Sequence, residues 1–115
     1  MPELSIRIDF GPDHRIGPAK IQLLEEVASH GSIAGGGRAL DISYRRVWEL
    51  IDNLNSIFGR PVVVSRSGRK KGGGAALTPL GLSLISRDRA VERAAKLASE
   101  THLEALRQEI QDGSK

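Results

Sequence analysis

Residues 4 to 9, Leu-Ser-Ile-Arg-Ile-Asp, alternate apolar and polar, the pattern of a half-buried strand. Gly11, Pro12, Gly17 and Pro18 then break the chain. From Pro18 the period becomes helical, with Pro at a permitted first-turn position. Ile21, Leu24 and Val27 or Ala28 form the expected buried stripe, and His30-Gly31 ends the helix. Ser32 is placed to cap a second, short helix over residues 33–40. The middle of that helix is Gly35-Gly36-Gly37. Each Gly costs up to about 1 kcal/mol relative to Ala in a helix interior. A helix so composed cannot stand alone, and close approach by another helix is the reason to tolerate it.

Asp41-Ile42-Ser43 reads as a tight turn, with Ser43 as the next cap. A third helix is expected from Tyr44 to about Phe58, stopped by Gly59. Val47, Leu50, Ile51, Leu54 and Phe58 share one face of it, and Trp48 flanks that face in a structural position. Tyr44, Arg45, Glu49 and Asp52 point elsewhere. Val62-Val63-Val64 is β-branched and reads as a strand. Residues 67–74 read as a flexible basic loop and Ala75 to Leu77 as a short return strand, so 62–77 is a long-looped hairpin.

Thr78 and Pro79 then open a helix of roughly 30 residues. Leu84, Val91, Ala95, Ala98, Ala105 and Leu106 share a face of it, flanked by Ile85, Leu103 and Ile110; Leu97 lies off the stripe. A small core cannot cover a helix this long, so its distal half needs a partner. The expected partner is a second copy of the chain, joined through Leu84, Val91, Ala95, Ala98 and Leu106. Residues 111–115 are expected to fray.

Strand, helix, helix, turn, helix, strand, basic loop, strand is the order of a winged helix-turn-helix. The expected fold is therefore mainly α with a small β-wing. Residues 1–78 would form a DNA-binding domain, and residues 79–115 the dimerisation helix of the same unit.

Charge sharpens this picture. The whole chain carries only +3, but residues 38–71 hold eight basic and three acidic groups, a local net of +5. That asymmetry favours a polyanion, and double-stranded DNA is the partner expected. The third helix opens with Tyr44, Arg45 and Arg46 beside free backbone amides and the positive helix pole, which suits phosphates. Its polar side chains, Glu49 included, can reach base edges in the major groove. Arg69, Lys70 and Lys71, set among glycines, can follow a backbone or enter a minor groove. Ser43 is first a cap, and Arg38 a candidate phosphate contact. Aromatic residues make up 3%, which supplies base-stacking single-strand binding poorly.

Composition narrows the chemistry further. The chain has no Cys, which rules out disulfides, a thiolate zinc site and a Cys nucleophile. His14, His30 and His102 are far apart and lack the spacing that signals zinc. No Gly-x-Ser-x-Gly elbow, His-Glu-x-x-His helix or Gly-Lys-Ser/Thr phosphate loop occurs, so no catalytic residue and no cofactor is expected. No apolar run approaches the roughly 18 residues of a membrane helix. The start lacks a signal-peptide pattern, and a cytoplasmic setting follows as the default.

Gly31-Ser32-Ile33, Ala39-Leu40, Ile42-Ser43-Tyr44, Trp48, Asn53 and Asn55 carry a resemblance, as do the runs Lys71-Gly72-Gly73-Gly74-Ala75 and Leu77-Thr78-Pro79-Leu80-Gly81. Over residues 16–90 the chain resembles the N-terminal domain of ModE-type molybdate-responsive repressors, relatives of the LysR-type helix-turn-helix. The resemblance implies a homodimeric transcription regulator binding a partly palindromic operator. Family members carry small residues such as Ala where this chain has Gly35, Gly36 and Gly37. Full-length members also follow this domain with oxyanion-binding domains. Molybdate is thus implied by the resemblance alone, and direct sensing of it is not expected of residues 1–115. Two other readings stay open at this level: a small dimeric protein-interaction module, and an oxyanion-binding module with the basic Gly loop as an anion nest.

Overall fold

The computed structural model describes residues 3–66 and 74–113. Its elements run β1 (Ile8–Asp9), β2 (Arg15–Ile16), α1 (Pro18–His30), α2 (Ile33–Leu40), α3 (Tyr44–Phe58), β3 (Val63–Arg66), β4 (Gly74–Leu77) and α4 (Pro79–Gly113). This is a winged helix-turn-helix with a long C-terminal helix, as the sequence pattern predicts. The loop expected between the wing strands lies outside the described residues, apart from Gly74, which opens β4.

The core is one cluster, built around Ile16, Ile21, Leu23, Leu24, Val27, Val47, Ile51, Leu54 and Val62. α1 lies at its centre and touches α2, α3, β4 and α4. That explains a difference from the expected stripe. Leu23 is fully buried and Ala28 is exposed, because α1 is covered from several sides and its buried face is wider than one stripe.

The seating of α2 on α1 leaves no room for side chains. Ser32 caps α2, its Oγ accepting a hydrogen bond from the Gly35 N–H at 2.9 Å. A Cβ on Gly36 would stand 2.7 Å from Val27 Cγ2 and 3.2 Å from the Val27 backbone nitrogen. One on Gly37 would meet Val47 Cγ2 at 2.8 Å, and one on Gly35 would meet the His30 Cβ at 2.7 Å. The three glycines therefore form a face on which α1 and α3 both rest. The turn to α3 is closed by Asp41, at φ 57°, and by the Ile42 N–H donating to the Gly37 carbonyl at 3.0 Å. Asp is among the few residues that accept this left-handed conformation.

The wing is pinned at its base. The Val62 N–H donates to Asn55 Oδ1 at 2.9 Å, and the Val62 carbonyl accepts from the Thr78 N–H at 3.0 Å. Val62 is thereby fixed just before the ladder, so the strand starts one residue later than expected and runs to Arg66. β3 pairs antiparallel with β4, Val63 opposite Leu77 and Arg66 opposite Gly74. The Ala75 N–H donates to the Gly31 carbonyl at 2.8 Å, tying β4 to the end of α1. Thr78 Oγ1 caps α4 by accepting from the Gly81 N–H at 3.1 Å and donates to the Pro61 carbonyl at 2.9 Å.

The first strand is shorter than the alternation suggests. Only Ile8 and Asp9 form a ladder, opposite Ile16 and Arg15, in a small hairpin that the sequence reading missed. Pro18 opens α1 just after Ile16, so the partner strand is used up after two residues. The alternation survives in burial: Leu4, Ile6 and Ile8 are half-buried and their neighbours exposed.

Gly36 gives a direct test of the packing constraint. On helix propensity alone Gly36→Ala would stabilise α2 by up to about 1 kcal/mol. The contact with Val27, a stiff β-branched side chain, reverses the sign. Denaturant unfolding of Gly36→Ala is expected to show a loss of about 1–3 kcal/mol, the usual cost of overpacking. A midpoint equal to or above wild type would contradict the close seating.

Candidate nucleic-acid interface

The N-terminal end of α3 stands at the surface because its apolar residues all face the other way. Val47, Leu50, Ile51 and Leu54 are buried; Ser43, Tyr44, Arg45, Arg46 and Glu49 are exposed. Ser43 caps the helix, its Oγ accepting from the Arg46 N–H at 3.1 Å. Among the described residues nothing accepts from the first-turn N–H groups of Tyr44 and Arg45 at the positive pole, a setting suited to a phosphate.

Five of the nine expected contact residues thus fall together on two turns of α3. Of the two arginines Arg45 has the more exposed side chain, at 89% against 57% for Arg46. Glu49 lies one turn further on and pairs with both arginines. Its Oε2 is 3.4 Å from Arg45 Nε, and its Oε1 accepts from Arg46 Nη1 at 3.0 Å. Glu49 therefore orients the two guanidinium groups and offsets part of their charge. Pairs this exposed are weak and exchange readily with other anions. Arg38 is exposed in the last turn of α2, apart from that group. Arg69, Lys70 and Lys71 lie outside the described residues.

Tyr44 and Trp48 have separate parts. Their rings meet edge to face, centroids 6.3 Å apart at 79°. Trp48 packs against the core, while Tyr44 remains 58% exposed. With Ser32, Ile33, Ala34, Ser65 and Gly74 they line a cleft between α3, the start of α2 and the loop-side end of the wing strands.

A second polar patch on the flank of α3 was not foreseen. Lys20 Nζ donates to the Arg15 carbonyl at 2.6 Å and to Asn53 Oδ1. Asn53 Nδ2 in turn donates to the Asp13 carbonyl at 3.4 Å. These bonds tie the β1–β2 hairpin to the start of α1 and to α3. Arg15, Lys20 and Arg46 gather around one shallow hollow with Asp13, Glu49, Leu50 and Asn53. Burial, with Arg46 and Arg15 nearby, pushes the Lys20 ammonium below its ordinary value. Residues 20 and 53 are 33 positions apart, so no local pattern could have joined them.

Other chemistry is not assembled. Among the described residues no group of three His, Cys, Asp or Glu could hold a metal ion. No helix among them is long and apolar enough to cross a membrane.

Several known proteins are similar to this chain. It is 40% identical over 72 residues to the molybdenum-pterin-binding protein MopA of Rhodobacter capsulatus, covering 63% of this chain and 27% of that one. It is 40% identical over 68 residues to the DNA-binding transcriptional dual regulator ModE of Escherichia coli (strain K12), covering 59% of this chain and 26% of that one. The chain thus spans about a quarter of the length of these relatives. In fold it is similar to the DNA-binding domain of CbnR, solved as a complex with DNA. That match has a TM-score of 0.59 at 20% identity and covers 76% of this chain and 95% of the other. Residues 18–82, α1 through the first turn of α4, match the family model for the bacterial regulatory helix-turn-helix protein, lysR family. With the glycine-seated α2, the capped α3 and the wing in that order, the chain belongs to the lysR family of bacterial regulatory helix-turn-helix proteins.

Proposed function

We propose that this chain binds double-stranded DNA in a sequence-specific way, as the operator-binding part of a transcription regulator. The observation that carries this is the exposed first two turns of α3. There Tyr44, Arg45, Arg46 and Glu49 are exposed at the N-terminal end of the helix, while Val47 and Leu50 turn inward. α3 enters the major groove, where Arg45 reads a base edge and Ser43 and Arg46 meet phosphates. Arg38, in the last turn of α2, adds a separate phosphate contact, and Arg69, Lys70 and Lys71 extend the contact along the backbone. Family membership and the names of the relatives support this over a protein-interaction or oxyanion module. A regulator of this kind works in the cytoplasm. A link to molybdenum rests on what the relatives' names say of those proteins.

The regulator acts as a homodimer through α4. Past its first turns this helix projects from the body, and the molecule measures 60 × 28 × 23 Å. Leu84 and Ala95 are half-buried, whereas Val91, Ala98 and Leu106 are exposed. Residues 79–113 thus serve as the dimerisation helix of the domain formed by the preceding residues. A two-fold axis would present two α3 helices to a partly palindromic operator.

Selection of bound fragments from random duplexes defines the preferred site, and variants are then compared on it. Arg45→Ala should weaken binding to the selected site more than to random DNA, because a base contact is worth about 1–3 kcal/mol of discrimination. Equal losses on both would make Arg45 a phosphate contact only. Glu49→Gln should do the reverse to non-specific binding: it frees both arginines, so affinity for random DNA rises and the ratio of specific to random affinity falls. Replacing Arg69, Lys70 and Lys71 together by Ala should flatten the dependence of log K on log salt by roughly 0.9 per lost phosphate contact. An unchanged slope would remove the wing from the interface.

A further inference from the structure

Five charged side chains meet in the hollow on the flank of α3, and three of them come from other elements. Arg46 and Glu49 belong to α3 itself, Lys20 to the first turn of α1, and Asp13 and Arg15 to the β1–β2 hairpin. The hollow has a volume of about 300 Å³. Positive charge is in excess around it because each carboxylate that pairs there serves two cations. Asp9 Oδ1 is 3.2 Å from Arg7 Nε and 3.6 Å from Arg15 Nε. Glu49 is divided in the same way between Arg45 and Arg46. Lys20 makes no ion pair among the described residues. Its ammonium donates to two neutral oxygens, the Arg15 carbonyl and Asn53 Oδ1, which leaves one of its three N–H groups for another acceptor. Burial, and then the Arg46 and Arg15 guanidinium groups, hold that ammonium below its ordinary value, the sign of cations crowded together.

The place of the hollow on α3 says which anion fits. Tyr44 and Trp48 line the cleft that faces the wing strands, whereas Arg46 and Asn53 line the hollow. With about 3.6 residues per turn, these two pairs stand roughly half a turn apart around the helix. Arg45 points outward between them. A helix lying in the major groove, about 12 Å wide, has a sugar–phosphate backbone along each flank. If α3 enters that groove, one backbone runs beside the wing and the other beside the β1–β2 hairpin.

We propose that the hollow holds a backbone phosphate of the DNA strand across the groove from the wing, with Lys20, Arg15 and Arg46 as its donors. The inference rests on the DNA-binding reading above and adds the β1–β2 hairpin and the start of α1 to the interface. The phosphate takes the remaining Lys20 N–H and replaces Glu49 on Arg46, an exchange that exposed pairs allow. Asn53 is a positioning residue. It accepts from Lys20 and donates to the Asp13 carbonyl at 3.4 Å, which fixes the ammonium and the hairpin against the same flank of α3. Asp13 stands against the anion. It occupies the left-handed region, at φ 63°, which Asp and Asn accept more readily than most residues. Its carboxylate lowers the affinity of the hollow without abolishing it, since three cations face the same space.

Duplexes of the selected site that carry one neutral methylphosphonate, a single position at a time, locate each phosphate contact. For the wild type, neutralising the phosphate over the hollow should weaken binding roughly tenfold, the scale of a charged hydrogen bond. Lys20→Gln and Arg15→Gln, each checked for helical content and thermal midpoint, should weaken binding to selected and random DNA alike. Each should flatten the dependence of log K on log salt by roughly 0.9. In both variants the same methylphosphonate should cost much less than in the wild type, because the contact is already reduced. The Arg15 side chain is exposed and pairs only with Asp9, so Arg15→Gln reads the site even where Lys20→Gln loosens the hairpin. Asp13→Asn keeps the left-handed turn and should tighten both DNAs about two- to threefold. A loss of affinity in Asp13→Asn would place the phosphate elsewhere. The positions relieved by replacing Arg69, Lys70 and Lys71 with Ala should lie on the other strand, and relief at the same positions would overturn the placement across the groove. A wild type that binds its selected site while neither Lys20→Gln nor Arg15→Gln relieves any position would overturn the hollow and leave the DNA reading intact. A wild type that binds no duplex would remove both. Inorganic phosphate bound by the free protein and lost in Lys20→Gln, with the DNA salt slope unchanged, would make the hollow a site for a free oxyanion and overturn the backbone contact.

Discussion

Everything in this small domain depends on how closely α2 can approach its neighbours. Helix axes usually stand 8–10 Å apart because side chains separate them. Here three consecutive glycines remove the side chains of α2 where α1 and α3 press on it. The cost in helix propensity is offset by burying Val27 and Val47 against a bare backbone. It is also offset by the Ser32 cap, which satisfies a backbone donor that the short helix would otherwise leave open. The angle at which α3 leaves the turn follows from this seating, since the Ile42 N–H is bonded to the carbonyl of Gly37 itself. Presentation of Tyr44, Arg45 and Arg46 at the surface is thus a consequence of glycine packing on the far side of the helix.

Charge is organised by the same frame. The first turns of α3 hold two arginines against one glutamate at the surface, where water screens the pairs and a polyanion can displace Glu49. Elsewhere the ionic groups tie elements together. Lys20 and Asn53 fasten the β1–β2 hairpin to α3 through backbone carbonyls. Arg89, on α4, reaches Glu25 on α1 with two donors, and its own protonated form is held more firmly by that contact. The long helix therefore leaves the body at a fixed point, and its apolar stripe takes a defined direction. In the dimer proposed above, a rigid exit would set two α3 helices at a given spacing.

α4 belongs to two environments. Its first turns are part of the core: Leu80, Leu84 and Ile85 pack on it, and a Cβ on Gly81 would stand 2.3 Å from the Val62 carbonyl oxygen. Further along, Leu97, Leu106 and Ile110 are each more than half exposed. Asp88 lies at the boundary, buried by the body and open to a cleft. Wing base, β1–β2 hairpin and the end of α3 at Phe58 all abut this first part of α4.

Much of this was legible in the sequence, for a physical reason: the signals are local. Helix caps at Ser32, Ser43 and Thr78, stops at Gly31 and Gly59, and the apolar face of α3 are set by residues three or four positions apart, so α2 and α3 fall where the pattern puts them. The exposed first turns of α3 follow from the same periodicity. What depends on distant residues was not legible. The breadth of the α1 face, with Leu23 inside and Ala28 outside, was decided by four elements closing around it. The two-residue β1–β2 ladder needed a strand that sequence alternation alone could not supply. The bond from Lys20 to Asn53 spans 33 residues, and that from Arg89 to Glu25 spans 64. Sequence by itself determined which segments would be helical and which face of α3 would stay polar. Tertiary structure alone decided which distant charges pair, because only folding sets how far apart they stand.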